Sequence, residues 1–170
     1  MDDVIASART ALGLNPKFFI AHYMAGVALL AKGQAKEALA EMQQEPEGPW
    51  HSIGLPLAWH ALGNKAEADA ALADLIRKFE NDSAYNIAYV YAYRGESDHA
   101  FEWLDKAVAN KDAGLSEIGV QPLFANIRRD PRWLPLLRKL NRAPEQLAAI
   151  PFEVKLPGSG AIGAKKPGAP

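Results

Sequence analysis

The residues able to do chemistry are few and badly spaced for it. The four histidines are His22, His51, His60 and His99. No pair stands at i, i+4, the spacing that puts two imidazoles on one helical face for a metal. No cysteine is present to complete a ligand set. His51 and His60 are nine apart and fall on different faces of one helix. The serines (Ser7, Ser52, Ser83, Ser97, Ser116 and Ser159) include none in a nucleophile-elbow pattern, and Ser83 and Ser97 read as helix-start residues. Carboxylate pairs such as Asp69 with Asp74 read as solvated helix surface. GSGAIG, from Gly158, follows no buried strand and precedes no helix, so it does not read as a phosphate-binding loop. No enzyme activity, metal or cofactor is implied by any of these.

A different feature stands out. Tyr85, Tyr89 and Tyr93 recur every four residues, a tyrosine stripe along one helical face. Tyrosine offers a large contact area at modest entropic cost and is enriched where proteins meet. The same stripe would also serve as packing against neighbouring helices. A stretch of basic residues, Arg128, Arg129, Arg132, Arg138, Lys139 and Arg142, carries a net +5 inside a chain whose overall charge is −1. Such a patch suits an acidic partner surface, or basic residues near helix ends. Near-zero net charge argues against a generally nucleic-acid-binding surface, and nucleic acid is disfavoured as a partner.

The elements that must position these residues follow from a repeat. GQAKEALAEM, GNKAEADAAL and GESDHAFEWL align without gaps, with glycines at 33, 63 and 95. Five residues after each glycine comes a small residue (Ala38, Ala68, Ala100), and four further on a large apolar one (Met42, Leu72, Leu104). Before each glycine lies a helix-period segment with apolar residues around much of its circumference, as in a helix packed on two sides. Glycine tolerates the positive φ that ends a helix in a tight turn. The unit is helix, turn, helix, at about 30 to 34 residues. The 31 alanines fit close helix approach.

These segments resemble the tetratricopeptide repeat family. Ala25-Gly26 with Leu29, Leu55-Pro56 with Trp59, and Ile87-Ala88 with Tyr91 stand where that family has a small pair followed by an aromatic or bulky residue. The resemblance covers residues 2 to 111. It implies an all-α, right-handed superhelical solenoid of about three repeats with a C-terminal capping segment. Residues 1–16 would be a lone helix B of a preceding repeat, followed by repeats at 17–48, 49–80 and 81–112. Capping helices and a short extended segment would occupy 113–156, with PFEVKLP as the extended part, and a flexible tail 157–170.

Pro56 departs from the pattern, because proline inside a helix costs about 3 kcal/mol. Either the helix kinks there, or it starts near Pro56 after an irregular WHSIG. The kink is preferred because Trp50 and Ile53 continue the apolar period. Beyond residue 111 the period fails, and GVQPLFANIRRDPRWLPLLRKLN reads as two short helices broken at Asp130-Pro131. APEQLAAI adds one more short helix. DPRWLPLL resembles the ending of bacterial tetratricopeptide proteins, where the module often belongs to a signalling system. Phe124, Ile127, Trp133, Leu136, Leu137 and Leu140 would cap the open end of the array.

The family's groove pattern, with helical phase, places Ile20, Tyr23, Val27 and Leu30 on a concave inner face. Trp50, Ile53, Leu57 and His60 join them, then Asp82, Tyr85, Tyr89 and Tyr93. The lysine, asparagine and arginine by which one subclass grips a C-terminal carboxylate are absent, since their places hold Tyr23, Val27, Leu57 and Tyr89. The implied function is protein–protein interaction, with a partner protein or peptide anchored by apolar or aromatic groups. On that reading Tyr89→Ala or Trp50→Ala weakens binding without unfolding the chain. The alternative is a homodimer through Val4, Ile5, Ala8 and Leu12, uncovered on the first helix. The N-terminus is acidic and only weakly apolar, unlike a secretory signal. No stretch approaches the roughly 20 apolar residues of a membrane helix, so a cytoplasmic chain with no membrane contact is expected.

Overall fold

The computed structural model describes residues 1–151, and among these there is helix and no strand. The helices are α1 (Asp2–Leu14), α2 (Ala21–Ala31), α3 (Ala35–Met42), α4 (Pro49–Ala61), α5 (Lys65–Phe79), α6 (Ala84–Tyr93) and α7 (Ser97–Ala109). Two 3-10 helices (Ala113–Glu117 and Pro122–Ile127), α8 (Trp133–Lys139) and α9 (Pro144–Ala148) follow. The expected extended segment and flexible tail, with GSGAIG, fall beyond Pro151, outside the described residues. No described helix is long and apolar enough to cross a membrane.

Three hairpins, α2/α3, α4/α5 and α6/α7, are closed by one device. Gly33, Gly63 and Gly95 have φ of +74°, +78° and +78°. The residue after each donates its N–H back five residues, Gln34 to Leu29, Asn64 to Trp59 and Glu96 to Tyr91, each at 3.0 Å. This double-backed closure satisfies carbonyls that the last helical turn leaves open, and it needs a left-handed residue that glycine adopts without strain. Leu29, Trp59 and Tyr91 are the large residues that the repeat pattern singled out.

Each hairpin packs on the next, and α2, α4 and α6 touch in a row. The small residues after the turns lie at the centre: Ala38 and Ala100 are fully buried and Ala68 nearly so, with Met42, Leu72 and Leu104 beside them. Met42 is held between α2 and α4 because both present glycine. A Cβ on Gly26 or Gly54 would stand 2.7 or 2.9 Å from its Cγ. α4 runs unbroken from Pro49 through buried Pro56 to Ala61. One continuous helix therefore forms, and a start near Pro56 is excluded. Pro49 is its first residue, where a missing N–H costs nothing.

Two acids arriving from later in the chain cap the inner helices. The buried carboxylate of Glu45, just after α3, accepts from the N–H groups of Ile20 and Tyr23 at the start of α2. Asp112, just after α7, accepts from Tyr85 N–H at the start of α6 at 3.1 Å and from Gly114 N–H at 2.9 Å. A carboxylate there satisfies orphan donors and meets the positive end of the helix dipole. Arg94, its side chain 7% exposed, ties α6 back to the middle hairpin through Asp69 and the Ala68 carbonyl, and pairs with Glu96. Gly63→Ala should lower unfolding free energy by about 1 kcal/mol in urea denaturation, with no loss of helical circular dichroism, because only the left-handed turn is strained.

Candidate functional site

The inner face of α2, α4 and α6 is where the sequence placed a groove. Tyr23 of α2 and Tyr89 of α6 meet there, hydroxyl to hydroxyl, at 2.8 Å across 66 residues of chain. Asn86, one turn before Tyr89, donates its side-chain N–H to the Tyr89 oxygen at 2.8 Å. Trp50 of α4 lies against the Tyr23 ring, centroids 5.0 Å apart. Tyr85 meets Tyr89 edge-on at 5.7 Å.

The chain itself covers this face. The 3-10 helix Pro122–Ile127 lies on α6, and Phe124 enters between the tyrosines, 5.4 Å from Tyr85 and 6.2 Å from Tyr89. Trp133 of α8 backs Phe124 at 5.5 Å. Five expected groove anchors are enclosed, Tyr85 and Tyr89 against Phe124: Tyr23, Ile53, Leu57, Tyr85 and Tyr89 are each no more than 4% exposed. This corrects the expected open groove. An aromatic face was going to be buried, and the nearest apolar segment, PLFANI, does the burying. The segment expected to cap the end of the array packs against the inner face at α6.

Burial raises the pKa of all three enclosed tyrosines, Tyr23, Tyr85 and Tyr89, and the neighbouring Tyr23 adds to the rise at Tyr89. The Tyr85 hydroxyl is buried with no partner among the described residues, and the ring stacks over Gly114, where a Cβ would collide at 2.3 Å. Tyr89→Ala therefore belongs to the core and should cost about 3–5 kcal/mol, which corrects its use as a binding variant.

A remnant of the inner face remains open. Val27, Leu30 and Ala31 of α2, Tyr93 of α6 and Pro122, Leu123, Ala125 and Asn126 of the covering segment line a slot of about 160 Å³. The Asn126 side chain donates to the Tyr93 carbonyl at 2.8 Å, leaving its own oxygen as an acceptor at the rim. His60 meets the Tyr93 ring edge-on at 5.8 Å. Partial burial, and then the Arg94 charge, lower the pKa of His60. Of the expected groove residues, Val27, Leu30 and Tyr93 line this slot, with His60 beside it. Ile20 and Trp50 are half-buried elsewhere, and Asp82 is exposed before α6. A larger concavity of about 560 Å³ between α1 and α3 is lined by none of them. Its charges are partly matched internally, Asp2 with Lys32 and Glu41 with His22.

The basic residues are exposed, but half are committed within the fold. Arg128 donates to the carbonyls of Gly119 and Gln121. Arg132 pairs with Asp98 and Asp130 and lies 4.3 Å over the Phe101 ring. Its hydrogen bonds push the Asp130 carboxyl down to about 2. Arg138 pairs with Glu145 at 2.7 Å. Among the described residues, Arg129, Lys139 and Arg142 have neither an ion pair nor a side-chain hydrogen bond, and Arg128 has carbonyl partners but no ion pair. The alternative surface on α1 is corrected too: Ile5 and Ala8 are buried, and Val4 and Leu12 half-buried, because α2 packs against them.

Glu45, Asn86 and Asn126 escaped the sequence reading. Each is a lone polar residue whose partner lies 3 to 33 residues away, with no motif to mark it. Among the described residues, no three histidine or acidic side chains come together as a metal site. No family model matches the chain, and no curated protein or solved structure matches it.

Two of the three buried phenols give opposed expectations. Tyr89→Phe strands Tyr23 and Asn86 without partners and should cost about 1–3 kcal/mol in urea unfolding. Tyr85→Phe removes a hydroxyl that has no partner and should be neutral or stabilising.

Proposed function

We propose that this chain is a helical-repeat interaction module of the tetratricopeptide kind, and that it holds a partner segment by one apolar side chain. Three glycine-closed hairpins at spacings of 30 and 32 residues, with their first helices in a row, support the repeat reading. The slot between α2 and Pro122–Ile127 carries the binding reading. It is apolar, open and sized for one leucine-like or aromatic anchor, with the Asn126 oxygen placed to accept a hydrogen bond from a partner backbone. Most of the inner face is core, so the partner makes a short contact and not a long groove-spanning one. The module acts by binding, without catalysis.

The test is selection of a random peptide library on the intact chain, with Ala125→Trp as counter-target. Ala125 is exposed at the slot, so tryptophan there fills it without entering the core. Peptides sharing an aliphatic or aromatic anchor should be enriched and should lose at least about tenfold in affinity on the Ala125→Trp variant. Enriched peptides that bind both proteins equally, or no enrichment, would contradict the slot.

A further inference from the structure

The apolar slot has charge at its edge, and all of it has one sign. Within two positions of each lining residue, the only charged side chains are basic: Lys32 after Ala31, Arg94 after Tyr93 and Arg128 after Asn126. Two of the three are matched inside the fold. Lys32 pairs with Asp2, and Arg94 with Asp69 and Glu96. Arg128 is different. Its Nη2 donates to the carbonyls of Gly119 and Gln121, at 3.4 and 3.1 Å, and these neutral acceptors leave its charge uncompensated. Its Nε and Nη1 have no partner among the described residues, and the residue is exposed.

The same bonds place that charge. Gln121 is joined to Pro122, a wall of the slot, so the bond to its carbonyl holds the guanidinium at the Pro122 end. It also ties the residue after the 3-10 helix Pro122–Ile127 to the residue before it, which limits the swing of the side chain. The nearest acid in sequence, Asp130, is taken by Arg132 through Nε at 2.9 Å and Nη2 at 2.7 Å. Exposed Arg129 adds a second positive charge next in the chain. A guanidinium with open N–H groups matches a carboxylate, and the charge-assisted bond is stronger than one between neutral groups. An extended segment advances roughly 7 Å over two residues and turns both side chains to the same face. A segment anchored in the slot can therefore carry a second side chain to its end.

We infer that the partner segment is acidic beside its anchor: an Asp or Glu within two positions of the apolar residue meets the Arg128 guanidinium while that residue fills the slot. This rests on the slot reading and names the chemistry of its partner. Arg128 lies outside the three hairpins, so the contact belongs to the covering segment and not to a groove along the repeats.

Peptides selected on the intact chain that lose affinity on Ala125→Trp provide the test. They should share an Asp or Glu within two positions of the anchor. Their affinity, by titration calorimetry, should fall at least about threefold on Arg128→Gln and further on Arg128→Glu. A peptide with the acid replaced by its amide should bind wild type and Arg128→Gln alike, which separates a lost charge pair from a disturbed fold. Glu153 is the one acidic residue beyond Pro151, and Glu153→Gln should leave affinity unchanged. Slot-dependent peptides without a shared acid, acidic peptides indifferent to Arg128→Gln, an amide peptide weakened as much as the acidic one, or tighter binding on Glu153→Gln would each overturn the inference and leave the slot standing. Peptides indifferent to Ala125→Trp would overturn the slot reading and this inference with it.

Discussion

The contact between the Tyr23 and Tyr89 hydroxyls constrains the rest of the fold. It joins the first and third hairpins over the middle one, so α2, α4 and α6 must stand close enough for two phenols to meet across α4. Two hydroxyls buried together demand satisfied hydrogen bonds, and Asn86 supplies the further donor to Tyr89. They also demand a lid that excludes water, which Phe124 provides with Trp133 behind it. The covering segment, the inner face and the ends of α2 and α6 therefore form one packed unit, with Glu45 and Asp112 fixing where the two helices begin.

That unit decides what the molecule can offer a partner. A row of three inner helices left open would present an aromatic trough. Here the trough is filled from within, and the accessible remainder is a slot at the seam between α2 and Pro122–Ile127. Large contact area has been exchanged for internal stability. The exposed apolar and charged features lie at the edges: the slot, Arg129, Lys139 and Arg142 on α8 and its flanks, and the exposed Phe18 and Phe19.

The hairpins were legible in the sequence because their determinants are local and repeated. A glycine at 33, 63 and 95 must turn, and an alanine five residues on must lie where helices approach. The structure finds both, by positive φ and by burial. The inner face was legible as a face but not as a groove. Period 3.6 puts Tyr85 and Tyr89 on the same side whether that side meets a ligand or the chain's own PLFANI. The outcome is decided by a segment some 35 residues downstream, a tertiary fact without a periodic signal. The basic stretch was legible in sign, yet the partners of Arg132 and Arg138 come from loop geometry. The N-terminal face was misplaced for a related reason. Helical phase could not tell that α2 takes Ile5 and Ala8.

Urea unfolding of the Phe124→Ala variant tests most directly whether the inner face is sealed core. If Phe124 is part of one packed unit with Tyr23, Tyr85 and Tyr89, the variant loses about 3–5 kcal/mol in a single cooperative transition. A loss below about 1 kcal/mol, or a separate early transition of the segment after residue 112 that leaves the hairpins folded, would mean that the covering segment is a detachable strap over an intact groove.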